Sequence, residues 1–203
     1  MSGCSLGFGS IFARRSIRKF SKRDVPLSLI DTMINAAIQA PSAKNRQPWR
    51  FIVFGGEHKA EFERCMESGL IREETGKPIF PRSGFGLPDA KNTLRIIQEA
   101  PILIVIINSN GASPFIQIDS DERVTEICDT LSIGAAVQNM LLTAEELGLG
   151  TLWIANTCFA YPELTEFLKT DGQLVGAVAA GYADEAPMPR PRKSIEDICE
   201  YRI

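Results

Sequence analysis

A chain of 203 residues with 44% hydrophobic and 23% charged side chains suits one globular domain with a sizeable core. Its net charge of -3 and pI near 5.4 argue against a general polyanion binder, because nucleic-acid-binding domains are typically basic. Five scattered cysteines without a C-x-x-C pair, and a single histidine, speak against a zinc site or a disulfide framework and suit a reducing cytoplasm.

The opening "MSGCSLGFGSIFA" is mildly apolar, has no positive region ahead of it, and reads as an N-terminal arm rather than a signal peptide. No run approaches the ~18 apolar residues of a membrane span. Next comes "RRSIRKFSKR", residues 14–23, where six of ten side chains are basic. Over residues 26–39, Ile30, Met33, Ile34, Ala37 and Ile38 fall on one helical face, with Pro26 at the start and Pro41 past the end. "FIVF" at 51–54 predicts a short buried strand. A polar helix follows to about residue 68 and carries His58 on its solvated side.

Residues 69–90 hold four glycines and three prolines and read as an irregular excursion, with 80–85 as a lid candidate. "NTLRIIQEA" predicts a short helix leading into "PILIVIIN", the most convincing strand. Residues 125–147 predict a long helix that is apolar on nearly every side, buried in a core or a subunit interface and ended by Gly148. "TLWIA" and "LVGAVAAGY" complete the strands. The tail from Glu185 is proline-broken and basic, and is expected to run over the surface or across a partner subunit. No repeat or linker divides the chain, so residues 1–203 read as a single α+β domain.

Four stretches are candidates for chemistry: "RRSIRKF" (14–20), "APSAKNRQPWRF" (40–51), "ELGLGTLWIAN" (146–156) and "PRPRKSIEDI" (189–198). Alone, each reads as a solvated face, a turn, a helix cap or a tail. In this order they resemble the nitroreductase family of FMN-dependent oxidoreductases. The most specific piece is R-x-S-x-R-x-F followed, after one amphipathic helix, by A-P-S-x-x-N-x-Q-P-W.

The resemblance implies a mixed central β-sheet flanked by helices, with an extended C-terminal arm crossing to the partner subunit. It implies a phosphate clamp of Arg14, Ser16 and Arg18 with Arg190 and Arg192, and contact with the ribityl chain or ring by Arg15. Planar guanidinium forks suit phosphate oxygens. Pro41, Ser42, Ala43 and Asn45 match a segment reaching the FMN held mainly by the other subunit of a homodimer; Gln47 is an even choice between cofactor contact and a turn. Asn92 and Arg95, at i and i+3, match an Asn-x-x-Lys that meets the pyrimidine edge, with arginine in place of lysine. The backbone of Trp153, Ile154 and Ala155 is expected at flavin N5. Glycine is common soon after Trp-Ile, and Asn156 stands there instead, which opens the possibility of a side-chain donor.

The activity implied is transfer of hydride from NADH or NADPH through the flavin to an aromatic acceptor such as a nitroaromatic or quinone, in two half-reactions. No side-chain catalyst and no metal is required. The alternatives are a flavin-cleaving or dehalogenating enzyme of the same fold, or a non-catalytic FMN-binding protein. No nucleic-acid or membrane partner is expected.

Overall fold

A computed structural model describes residues 9–203; Cys4 and most of the expected N-terminal arm lie outside them. Among the described residues six helices and four strands follow one another along the chain. They are α1 (Gly9–Ala13), α2 (Leu27–Ala37), β1 (Trp49–Gly55), α3 (Gly56–Glu74), α4 (Leu87–Glu99), β2 (Ile102–Asn108), α5 (Ser120–Glu146), β3 (Gly150–Ile154), α6 (Tyr161–Leu168) and β4 (Gln173–Gly181). The sheet order is β1-β2-β4-β3 and every ladder is antiparallel. The parallel component of the expected mixed sheet is one bridge, Ser16 to Thr151, along the outer edge of β3.

Helices cover both faces of this sheet. On β2, Leu103, Val105 and Ile107 enter a core shared with α3, α4 and α6, whereas Ile104 and Ile106 enter one shared with α2 and α5. A strand buried on both sides needs a continuous apolar run, which is why "ILIVII" was readable as a strand. The expected polar helix extends six residues further, to Glu74, because its apolar stripe of Phe62, Met66 and Leu70 continues into the core. The fourth helix starts at Leu87, with Pro88 in its first turn, and so shortens the irregular excursion at both ends.

Within the single chain, helix α5 buries one face in the core and leaves another outward. Ile133, Ala136, Val137, Met140, Leu141 and Ala144 are buried, but Val124, Ile127 and Leu131 face outward, Leu131 at 70% exposure. Its start is fixed by a capping box, in which Asp119 accepts from the Glu122 N–H at 2.8 Å and Glu122 accepts from the Asp119 N–H at 3.1 Å. Its end is a Schellman motif at Gly148, where φ is +73: Gly148 N–H donates to Glu145 and Leu149 N–H to Ala144. The turn that follows delivers the chain directly into β3.

Two segments carried no usable sequence signal. Helix α6 is short, and α1 is a single five-residue turn. The register of β2 on β4 shifts between Ile106 and Ile107, opposite Gly176. A Cβ on Gly176 would sit 2.3 Å from the Ile154 carbonyl oxygen. Gly176→Ala is therefore expected to destabilise by about 1–3 kcal/mol or more, the cost of overpacking a rigid core. Urea unfolding checks this; an unchanged midpoint would refute it.

Candidate functional site

Residues 14–20 run extended beside β3. Ile17 N–H donates to the Thr151 carbonyl at 2.9 Å, and Ile17 and Phe20 are buried. Arg14, Ser16 and Arg18 are half-buried and, by alternation, lie on the side opposite Ile17. The C-terminal stretch returns alongside. Phe20 bridges Ala183, Ser21 N–H donates to Tyr182, and Asp184 N–H donates to Lys19. The Glu185 carboxylate accepts from the backbone N–H groups of both Arg18 and Lys19. This anchor, which no motif announces, directs residues 187–192 past the first basic run.

The two ends of the chain thereby enclose one cavity of about 410 Å³, lined by Arg14, Ser16 and Arg18 together with Arg190 and Arg192. Among the described residues none of these four arginines forms an ion pair, and residues 1–8 contain no Asp or Glu. Arg18 Nη1 donates to the Ser16 carbonyl and Arg192 Nη1 to those of Arg190 and Pro191; these partners are neutral, so four like charges around one space repel one another until an anion joins them. Arg15 also lines this cavity, but its Nη1 donates to the carbonyls of Phe12, Ala13 and Arg14 at 2.6, 2.9 and 2.9 Å. Its head caps the end of α1, and its stem is what the cavity meets. Lys19 and Lys22 are exposed, and Arg23 lies 3.8 Å over the Tyr182 ring.

Arg18 also lines a second cavity of about 180 Å³. One wall is a face of α4, with Asp89, Asn92, Thr93 and Ile96. The other is the end of β3 and the turn after it, Leu152 to Asn156. Trp153 is 44% exposed and Ala155 is exposed, while Ile154 is buried and fixes the turn in the core. Asn156 Nδ2 donates to Asp89 Oδ2 at 2.7 Å and to Thr93 Oγ1 at 3.0 Å. Arg95 does not line this cavity. It donates to Asn92 Oδ1 at 3.2 and 3.0 Å and pairs with Glu99, so it holds Asn92 from the solvent side. Burial pushes the thiol of Cys158, two residues further on, above its ordinary range, which leaves it protonated at neutral pH.

Pro41, Ser42, Ala43, Asn45 and Gln47 line neither cavity. They form a tight segment on the flank of α5. Ala43 N–H donates to Ser132 Oγ at 3.2 Å, Gln47 N–H to Ser42 Oγ at 3.1 Å, and Asn45 N–H to the Ser42 carbonyl at 2.9 Å. Lys44, Asn45 and Gln47 all have positive φ, at +53, +54 and +46. Three such residues in four positions is a strained backbone, of the kind that concentrates at functional sites. It is held by Arg46, whose Nε and Nη2 donate to buried Asp129 at 2.9 and 2.7 Å.

The lid candidate is only half free. Buried Glu73 accepts from the Ile79 N–H at 2.7 Å, and the Phe80 ring packs against Phe115 and Phe159 with centroids 5.7 Å apart in each case. Phe85, by contrast, is 88% exposed at the tip. Among the described residues no helix is long and apolar enough to cross a membrane, and no group of His, Cys, Asp or Glu is placed to hold a metal ion.

Fold and site together define an α+β protein with an arginine-lined cavity and, sharing Arg18 with it, a narrower one beside a sheet edge. The family model of the nitroreductase family matches residues 11–182, and the chain belongs to that family. It is 29% identical over 190 residues to YfhC of Bacillus subtilis, named as a candidate NAD(P)H nitroreductase, covering 92% of this chain and 89% of that protein. It is 28% identical over 186 residues to the iodotyrosine deiodinase of Thermotoga neapolitana, covering 90% and 91%. The FMN and NADPH-dependent nitroreductase NfnB from Sphigopyxis sp. strain HMH shares the fold with a TM-score of 0.74, at 21% identity over 97% of this chain and 98% of that one.

Proposed function

We propose that the protein is an FMN-dependent oxidoreductase that takes hydride from NADH or NADPH and delivers it to a small aromatic acceptor, a nitroaromatic or quinone. The observation that carries this reading is the meeting of Arg14, Ser16, Arg18, Arg190 and Arg192 on one cavity, with Arg18 also lining a narrower cavity beside β3 that we assign to the flavin ring. A phosphate carrying nearly two negative charges fits four otherwise uncompensated guanidinium groups and a hydroxyl. When bound, FMN supplies at N5 the atom that receives and returns hydride.

The chain's own part is positioning. The clamp fixes the phosphate end. Asn92, steadied by Arg95, offers the pyrimidine edge a polar group, and the buried Ile154 sets the backbone of Trp153 and Ala155 beside the ring slot. Such fixation converts an encounter of two solutes into a reaction between held partners. The site is assigned to a homodimer interface in the cytoplasm. Val124, Ile127 and Leu131 on α5 form an outward apolar face, and the exposed arm beyond Pro187 carries Ile195, Ile198 and Tyr201 toward a partner. The strained 41–47 segment would then serve the partner's cofactor.

The test is anaerobic titration of the FMN-loaded protein with NADH and with NADPH. Bleaching of the flavin absorbance, restored by menadione or a nitroaromatic, is the expected result. Failure to bind FMN would refute the reading. A second reading, reductive dehalogenation, is favoured by the 28% identity to a deiodinase across nine-tenths of both chains. Halide release from a halogenated tyrosine, without turnover of nitroaromatics, would select it.

A further inference from the structure

An amide at position 156, read from sequence, is a possible hydrogen-bond donor to the flavin. Its surroundings in the fold reverse that. A primary amide nitrogen carries two hydrogens, and Asn156 Nδ2 gives one to Asp89 Oδ2 at 2.7 Å and the other to Thr93 Oγ1 at 3.0 Å. A carboxylate can only accept, so this is the one amide orientation that satisfies Asp89; the turned amide would set a carbonyl oxygen against an anion. Thr93 is buried, and Asp89 and Thr93 both stand on α4, a helix locked into the core by Ile96 and Ile97. The group left over is Asn156 Oδ1, which accepts no hydrogen bond among the described residues and belongs to a residue lining the 180 Å³ slot.

We propose that Asn156 is a fixed hydrogen-bond acceptor toward the flavin, oriented by Asp89 as a positioning residue, and that it sets the balance between the two redox forms. The proposal rests on the FMN reading above. Oxidised N5 has a lone pair and no hydrogen, so an acceptor opposite it gains nothing. After hydride transfer from the nicotinamide, N5 carries that hydrogen and can donate it to Oδ1. An acceptor held in this place strengthens binding of reduced FMN relative to oxidised FMN, and the chain makes the flavin easier to reduce.

The experiment measures oxidised FMN affinity by fluorescence quenching and the two-electron midpoint potential by dye equilibration, in wild type, Asn156→Leu and Asp89→Asn. Leucine matches asparagine in size and cannot accept. Asn156→Leu is expected to keep or tighten binding of oxidised FMN and to weaken binding of reduced FMN about tenfold, lowering the potential by about 30 mV. Asp89→Asn lets the Asn156 amide turn but also removes a negative charge from the slot wall, so Asn156→Leu is measured again in that background, where it should lower the potential less than it does alone. An unchanged potential in Asn156→Leu with FMN bound, or an equal drop with and without Asp89, would overturn the proposal. So would an equal loss of affinity for both redox forms, since Oδ1 would then meet a hydrogen present in both. Wild-type protein that fails to bind FMN would instead overturn the underlying reading.

Discussion

Arg18→Glu is expected to abolish retention of FMN, whereas Lys22→Glu, four residues on in the same basic run, leaves it intact. Arg18 lines both the anion cavity and the ring slot, and Lys22 is exposed and lines neither. Losing one charge-assisted contact costs about 1.5–3 kcal/mol, and the glutamate adds repulsion against the phosphate. Affinity should fall about 100-fold or more, since each 1.4 kcal/mol is about tenfold. Among the described residues the Arg18 side chain donates only to the Ser16 carbonyl, at 3.1 Å, so the fold should survive the change. FMN fluorescence quenching at two salt concentrations measures the effect, and a thermal melt controls for folding. Equal losses from Arg18→Glu and Lys22→Glu would refute the division of the run into a clamp half and a solvated half.

That division could be proposed before the fold because extended residues alternate, so arginines at 14 and 18 with a serine between share a side. The pairing of this run with Arg190 and Arg192 was not legible from spacing. It depends on Glu185 capturing two backbone N–H groups, and a single acidic residue in a tail looks like any other. The β2 strand and the α2 stripe were readable because burial imposes periodicity. Helix α6 was not, because eight residues are too few to show a period. For α5 the apolar content was legible but its direction was not, since an exposed Leu131 and a buried Ile133 differ only in which neighbours the fold supplies. The locked amide of Asn156 was beyond reach for a similar reason. Its two partners stand on another helix, more than sixty positions earlier in the chain.

Arg46 and Asp129 were also passed over, and the second large effect is expected there. Asp129 interrupts an apolar helix at 1% exposure, with Arg46 as its ion-pair partner at 2.7 Å and its Oδ2 buried without a hydrogen bond. Removing one member of a buried pair strands the other charge and costs about 3–5 kcal/mol. The two single changes should differ. In Arg46→Met the carboxylate is left deep in the protein; in Asp129→Ala the guanidinium, 28% exposed, recovers some water. The double change Arg46→Met with Asp129→Leu strands no charge and should lose less than either single change. In a chain of this size about 3 kcal/mol lowers the melting temperature by roughly 6–12 °C. The expected order of melting temperatures is Arg46→Met lowest, then Asp129→Ala, then the double variant, then wild type. The same pair holds a left-handed backbone at Lys44, Asn45 and Gln47, a conformation costing about 1–2 kcal/mol per non-glycine residue. Without the pair that segment relaxes, so the double variant should melt near wild type yet bind FMN more weakly. A double variant that melts as low as the single ones would show that side-chain shape, rather than the stranded charge, is what the site demands.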